Sequence, residues 1–175
     1  MSESEPRDGN VTGIMSKIRR GRREAAATAS IPAVPTDVFR VITDVENLPR
    51  WWPRVKKAML IDGDELGREQ VLTLDWGRQE GTIRQKVVEW EPGRRYAWTV
   101  VSESADGREL PPLVKTRVTV TIERDGMSGS RVEIRAHFDP VGGRGVLALR
   151  QISRLARASY RKALRDLRGV VAPGA

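Results

Sequence analysis

Six apolar stretches in the middle of this chain each end at a glycine or proline turn, and that punctuation limits the fold more than any other feature. Residues 55–61 run into Asp62-Gly63, residues 69–76 into Gly77, and residues 81–90 into Pro92-Gly93. Residues 95–104 run into Asp106-Gly107, residues 114–124 into Asp125-Gly126, and residues 130–139 into Pro140. Strand-length stretches joined by tight turns favour antiparallel neighbours. A further strand is expected over residues 23–31, where Ala25, Ala27, Ala29 and Ile31 share one face. A glycine-rich joint, residues 142–145, leads into one long helix, residues 146–171, ahead of Pro173. A long helix with a wide apolar face must pack on something, and the concave face of a curved sheet is the available partner.

Between the first strand and the rest lies IPAVPTDVFRVITDVENLPRWWPRV, residues 31–55. Val38, Val41, Ile42 and Val45 follow helical spacing, and a turn at residues 47–49 leads into Trp51, Trp52 and Pro53. Adjacent tryptophans bury much area, but their N–H groups favour a wall or rim over a deep core. Trp52 is read as the rim and Trp51 as packing. Asp44, near a helix end, is expected to make a local turn contact.

Composition removes several classes of function. The chain has 175 residues, no cysteine and one histidine, His137. Disulfides, thiolate chemistry and a multi-histidine metal site are thereby excluded within one chain. No metal and no cofactor is expected. No apolar run approaches the roughly 18 residues of a membrane span, and the polar start, MSESEPRDGN, has no signal-peptide core. A cytoplasmic protein is the expectation, with a polar, basic tail over residues 1–24 and one domain over residues 25–172. Serines lie outside any G-x-S-x-G elbow, and the glycines at 142–145 lack a phosphate-loop lysine. The parity of His137 groups it with Arg131, Glu133 and Arg135 on an outer sheet face.

Three blocks of this sequence resemble the START-like, helix-grip (SRPBCC) superfamily, in particular its polyketide cyclase/dehydrase and lipid-transport family. They are residues 31–55, with Val38, Asp44, Leu48, Trp52 and Pro53; residues 81–100, GTIRQKVVEWEPGRRYAWTV; and the terminal helix ending in RKALRDLRGVV. The resemblance implies an α+β fold: a curved antiparallel sheet of about seven strands around a long C-terminal helix, with two short helices after the first strand. It also implies a cavity between sheet and helix, in a family that includes binders, lipid carriers, cyclases and ribosome-associated toxins.

Strand parity then proposes the lining of that cavity. Leu72, Leu74 and Trp76 share one face, as do Tyr96, Trp98 and Val100, and as do Val132, Ile134, Ala136 and Phe138. Ile152 and Ala156 stand on the helix face opposite. Trp76 and Trp98 either line a cavity or fill the core. Residues 81–90 are apolar on both parities, which a bulge near Val87 would reconcile. Either Gln85 or Arg84 then projects a polar group inward, where a ligand oxygen is one available partner. An apolar or aromatic small molecule, a lipid or polyketide for instance, is the expected ligand. The roles left open are carrier and cyclase/dehydratase enzyme.

The terminal helix also carries a row of arginines. Arg150, Arg154, Arg157, Arg161, Arg165 and Arg168 fall within an arc of about 80° and span roughly 27 Å. Residues 141–175 hold a net charge of +7 within a total of +8. The row is either a solvated face or a ridge for an anionic partner such as RNA, a ribosomal surface or an anionic membrane.

Overall fold

The computed structural model describes residues 23–173. The tail expected over residues 1–24 lies outside the described residues up to residue 22. Strand β1 (Glu24–Ile31) is followed by helix α1 (Pro35–Thr43), a 3-10 turn (Val45–Asn47) and the short helix α2 (Leu48–Trp51). Strands β2 (Val55–Asp62), β3 (Glu69–Asp75), β4 (Glu80–Glu91), β5 (Arg95–Ala105), β6 (Arg108–Leu110), β7 (Val114–Asp125) and β8 (Gly129–Pro140) precede the long helix α3 (Gly142–Val171). The strands form one antiparallel sheet in the order β1-β8-β7-β5-β4-β3-β2, with β6 paired to β5. Helix α3 lies against β1 and β8 and touches α1 and α2. The expected helix-grip architecture is present.

Local chemistry explains the α1–α2 segment. Pro35 opens α1, where its fixed φ suits the first turn and its missing N–H costs nothing. Val38, Phe39 and Ile42 bury one face of that helix. Asp44 stops it and caps the next turn: its Oδ1 accepts from Glu46 N at 3.0 Å and its Oδ2 from Asn47 Nδ2 at 2.8 Å. Pro49 then sits in the first turn of α2, so the expected turn at residues 47–49 is helical instead.

Two further differences from the sequence expectation have physical causes. Strand β6 is a three-residue return from the Asp106-Gly107 turn, too short for an alternation to show and cut off by Pro111-Pro112. The glycines at 142–145 belong to α3 itself. Gly142 turns the chain with φ 64°, and Gly145 is buried so close to the next chain segment that a β-carbon would collide with the Leu113 carbonyl oxygen. Strand β4 contains the expected bulge: Val87 pairs with Trp98 and Glu89 with Ala97, leaving Val88 as the extra residue. A second extra residue, Val101, sits on β5 between the pairs Arg84–Ser102 and Gln85–Val100.

The inner face of the sheet, α1, α2 and α3 enclose one core that includes Trp51, Leu72, Val87, Tyr96, Trp98, Val120, Ile134, Phe138, Leu164 and Leu167. The start of α3 gives a sharp test of this packing. Gly145→Ala is expected to lower stability by about 1–3 kcal/mol through overpacking. Gly143→Ala, where a β-carbon meets nothing within 4 Å, is expected to raise it by about 0.5–1 kcal/mol through helix propensity. Urea midpoints of the two variants check both signs.

Candidate ligand-binding site

Alternation along β3 turns Arg68, Gln70, Leu72, Leu74 and Trp76 toward the interior. Arg68, just ahead of the strand, exchanges backbone hydrogen bonds with the β4 side: its carbonyl accepts from Val87 N at 2.8 Å. Leu72, Leu74, Gln85, Tyr96, Trp98 and Phe138 are buried on the inner face. Trp76 is half-buried and covers Gly81, where a β-carbon would collide with its ring. Ile152 and Ala156 are half-buried on α3 and pack against the core.

The bulge at Val88 brings Trp90 to the same face as Val87 and Gln85, and a continuous run of aromatic contacts results. Phe39 meets Trp90 at 5.3 Å between centroids, Trp90 meets Tyr96 at 5.6 Å, and Tyr96 meets Trp98 at 5.2 Å. Trp52 continues the run, 5.4 Å from Trp98, 5.2 Å from Trp51 and 5.8 Å from Tyr160 of α3. Trp51 is fully buried, whereas Trp52 is half-buried and bridges α3 to the sheet.

Inside this aromatic wall lies a cation that the sequence reading missed. Arg68 is only 5 % exposed. Its guanidinium lies over the Trp90 ring at 5.1 Å and the Tyr96 ring at 5.7 Å. Its Nη1 donates to the Thr43 carbonyl at 2.9 Å, at the negative end of α1. Its Nη2 donates to the Tyr96 hydroxyl at 2.9 Å and to Gln70 Oε1 at 3.2 Å. Gln70 Nε2 in turn donates to Gln85 Oε1 at 2.9 Å. Arg68 Nε is buried with no partner among the described residues, as is Trp51 Nε1. Burial pushes the Tyr96 phenol up against the opposing pull of Arg68, so it keeps its proton at neutral pH. The signal for Arg68 and Gln70 was present in the chain: the Leu72–Leu74–Trp76 alternation, carried upstream, reaches both.

Of the two candidates on β4, the fold brings Gln85 inside and leaves Arg84 outside. Arg84 occupies the opposite parity and is exposed, with its Nε and Nη2 both donating to Glu69 Oε2. That pairing holds the Glu69 carboxyl below the usual carboxylate range. His137 stands on the outer face as expected, beside Asp139 at 3.3 Å and Glu24 at 3.8 Å. Arg150, Arg154, Arg157, Arg161, Arg165 and Arg168 are all exposed along α3. Arg157 Nη2 donates to the Glu24 carbonyl at 3.3 Å.

Two surface openings flank the sheet and α3. A seam of about 460 Å³ separates α3 from the α2–β2 turn, lined by Pro53, Arg54, Leu155, Ala158, Ser159 and Lys162. Leu155 is 61 % exposed there, and Arg54 holds a left-handed backbone at φ 66°. A second pocket, about 360 Å³, opens where β5 leaves β7 to pair with β6; its walls include Val100, Glu103, Leu110 and Val114 together with Arg117, His137 and Asp139 of the outer face.

Two predictions follow from these environments. Tyr96→Phe removes an acceptor from a buried guanidinium and is expected to cost about 1–3 kcal/mol. In an Arg68→Met background the same change is expected to cost less than half as much, and equal costs in both backgrounds would show the two side chains uncoupled. The second concerns Glu103, whose carboxyl is pushed up by burial. A raised folded-state pKa means its favourable contribution is complete below the unfolded carboxylate range and lost as pH rises through the folded value. Glu103→Gln is therefore expected to raise the melting temperature at pH 7 and to leave it unchanged below about pH 4.

Among solved structures, the chain is similar to the Zhui aromatase/cyclase from Streptomyces sp. R1128, with TM-score 0.70 and 15% identity over 85% of this chain and 93% of that one. It is also similar to a START superfamily protein from Mycobacterium smegmatis, with TM-score 0.65 and 15% identity over 85% and 96%. A third likeness is to the XoxI protein from Bacillus cereus, with TM-score 0.65 and 20% identity over 86% and 96%. These likenesses establish the START-like fold. No curated protein matches the chain. The sequence model for polyketide cyclase/dehydrase and lipid transport matches residues 22–172. The buried aromatic inner face, the gripped helix and that match together place the chain in the polyketide cyclase/dehydrase and lipid-transport family of the START-like superfamily.

Proposed function

We propose that this protein binds, and carries, an apolar or aromatic small molecule between the inner sheet face and α3. The observation that carries this reading is the run of aromatic rings on the inner face, Trp90, Tyr96, Trp98 and Trp52, which meets Tyr160 of α3. Trp52 is half-buried where this run meets the inner face of α3, so displacement of one ring would open the interior beside Tyr160. Such a ligand site is mostly apolar with a few placed polar groups. The interior fits that description: Leu72, Trp98 and Phe138 supply apolar wall, and Gln70, Gln85 and Arg68 supply the polar groups.

Family membership supports small-molecule ligands. It also brings in cyclase or dehydratase chemistry at the same cavity, as the name of the Streptomyces structure does for that protein. Binding leads because the hydrogen-bonded chain inside the aromatic wall consists of a cation, two amides and a phenol whose proton is held more tightly than usual. That set positions a ligand more readily than it transfers protons. The arginine row stays outside this proposal.

Titration with N-phenyl-1-naphthylamine tests the reading. Saturable one-to-one binding with quenching of tryptophan emission is expected. Trp52→Leu should weaken it about tenfold, the loss of one aromatic contact surface. Failure of the probe to saturate, together with no apolar molecule retained through purification, would remove the proposal.

A further inference from the structure

Strand β5 changes neighbours partway along one of its edges. It pairs with β7 as far as Thr99 opposite Arg117, and its last three residues pair with β6. Residues 100–102 have no ladder partner on that side, and residues 114–116 of β7 pair only with β8. Pro111 and Pro112 carry the chain from β6 to β7, and neither has an N–H with which to close the ladder. The far lip is held in place, because the Leu113 carbonyl accepts from Val141 N at 2.9 Å and packs against Gly145. The pocket of about 360 Å³ lies in this split of the sheet. None of the rings of the interior aromatic run lines it.

One group in the pocket has no counterpart. Glu103 is half-buried in its wall and makes no hydrogen bond or ion pair among the described residues. Burial pushes its carboxyl up, and no cation draws it back down. The basic walls are engaged elsewhere or exposed: Arg117 Nη2 donates to Glu89 Oε2 at 2.8 Å, His137 stands beside Asp139, and Lys115 lies in solvent. Val100, Val101, Leu110, Pro112 and Val114 supply an apolar surface next to the carboxyl. A desolvated carboxyl without a partner is costly, and a ligand that brings a cation removes the cost.

We infer that the split between β5 and β7 is a second ligand site, and that it takes a small primary amine with a short apolar or aromatic body. The ammonium meets the Glu103 carboxylate, and the body lies along Val100, Leu110, Pro112 and Val114. An ammonium has three donors and no acceptor. The carboxylate takes one, and the Ser102 and Thr116 hydroxyls in the same walls stand ready for the others. The charge on both partners makes that contact stronger than a neutral hydrogen bond, so the site selects by charge before shape. It is independent of the binding proposed for the interior.

Calorimetric titration with 2-phenylethylamine, 2-phenylethanol and 3-phenylpropionate tests the assignment, since the three differ in head group at similar size. The amine is expected to bind about tenfold more tightly than the alcohol, and the carboxylate most weakly. Glu103→Gln, which removes an unpartnered charge, should stay folded and should bring the amine down to the affinity of the alcohol. In the unaltered protein the amine should shift the backbone amide resonances of residues 99–103 and 114–117. Equal binding of amine and alcohol, a preference that survives Glu103→Gln, or no saturable binding of the amine would overturn the inference. Shifts centred on Trp52 and Tyr160 instead would place the amine in the interior and overturn it as well. Should Glu103→Gln fail to fold, the shift map and the three-probe comparison on the unaltered protein decide. None of these results bears on the interior site, which has its own probe.

Discussion

Strand β4 carries apolar residues on both parities, and a regular strand would have to expose half of them. The extra residue at Val88 removes the conflict. It leaves Ile83, Gln85 and Val87 facing inward and returns Trp90 to the same side, where it meets Phe39 and Tyr96. Much of the interior depends on that shift. Without it Trp90 would face outward, α1 would lose its edge-on aromatic contact, and Arg68 would lose one of the two rings that flank it. A one-residue change of register moves every following side chain to the other face, so a single bulge decides the inventory of a wall.

The buried cation is the second consequence. Arg68 faces neutral partners: a helix C-terminal carbonyl, a phenol, an amide and two aromatic faces. Each compensates part of the charge, and none returns a full negative one. A buried ion held this way costs desolvation energy that an apolar residue would not. What it supplies is direction, because a group that only donates polarises the amides beyond it. The same argument separates the interior from the arginine row of α3, whose members lie in solvent, where like charges are screened and the energetic stakes are small.

The legibility of this fold in its sequence varied with the range of the forces involved. Strands and turns were visible because alternation and glycine turns are local. The position of the Val88 bulge was foreseeable because apolar residues on both parities of β4 admit few solutions. The amphipathic character of indole favoured a wall or rim, yet Trp51 is fully buried with its Nε1 unpartnered among the described residues, because α2 is packed between β2 and α3. Arg68 escaped notice because an arginine ahead of a strand reads as surface until the alternation is carried back through Gln70. The start of α3 was misplaced by the reputation of glycine as a breaker. At Gly145 the absent side chain serves close approach to Leu113, and no local pattern records a contact between segments so far apart.

Periodicity, turn chemistry and composition were enough to specify an antiparallel sheet wrapped on a long helix, and to exclude thiol and multi-histidine metal chemistry within the chain. They also narrowed the polar group inside β4 to Gln85 or Arg84. The choice between those two came from packing. Glu69 on the neighbouring strand offers Arg84 a carboxylate on the outer face, while Gln70 offers Gln85 an amide on the inner one. Cross-strand partners are set by register, and register is a property of the assembled sheet. For the same reason the direction of the Gln70–Gln85 hydrogen bond exists only once Arg68 has been folded in beside them.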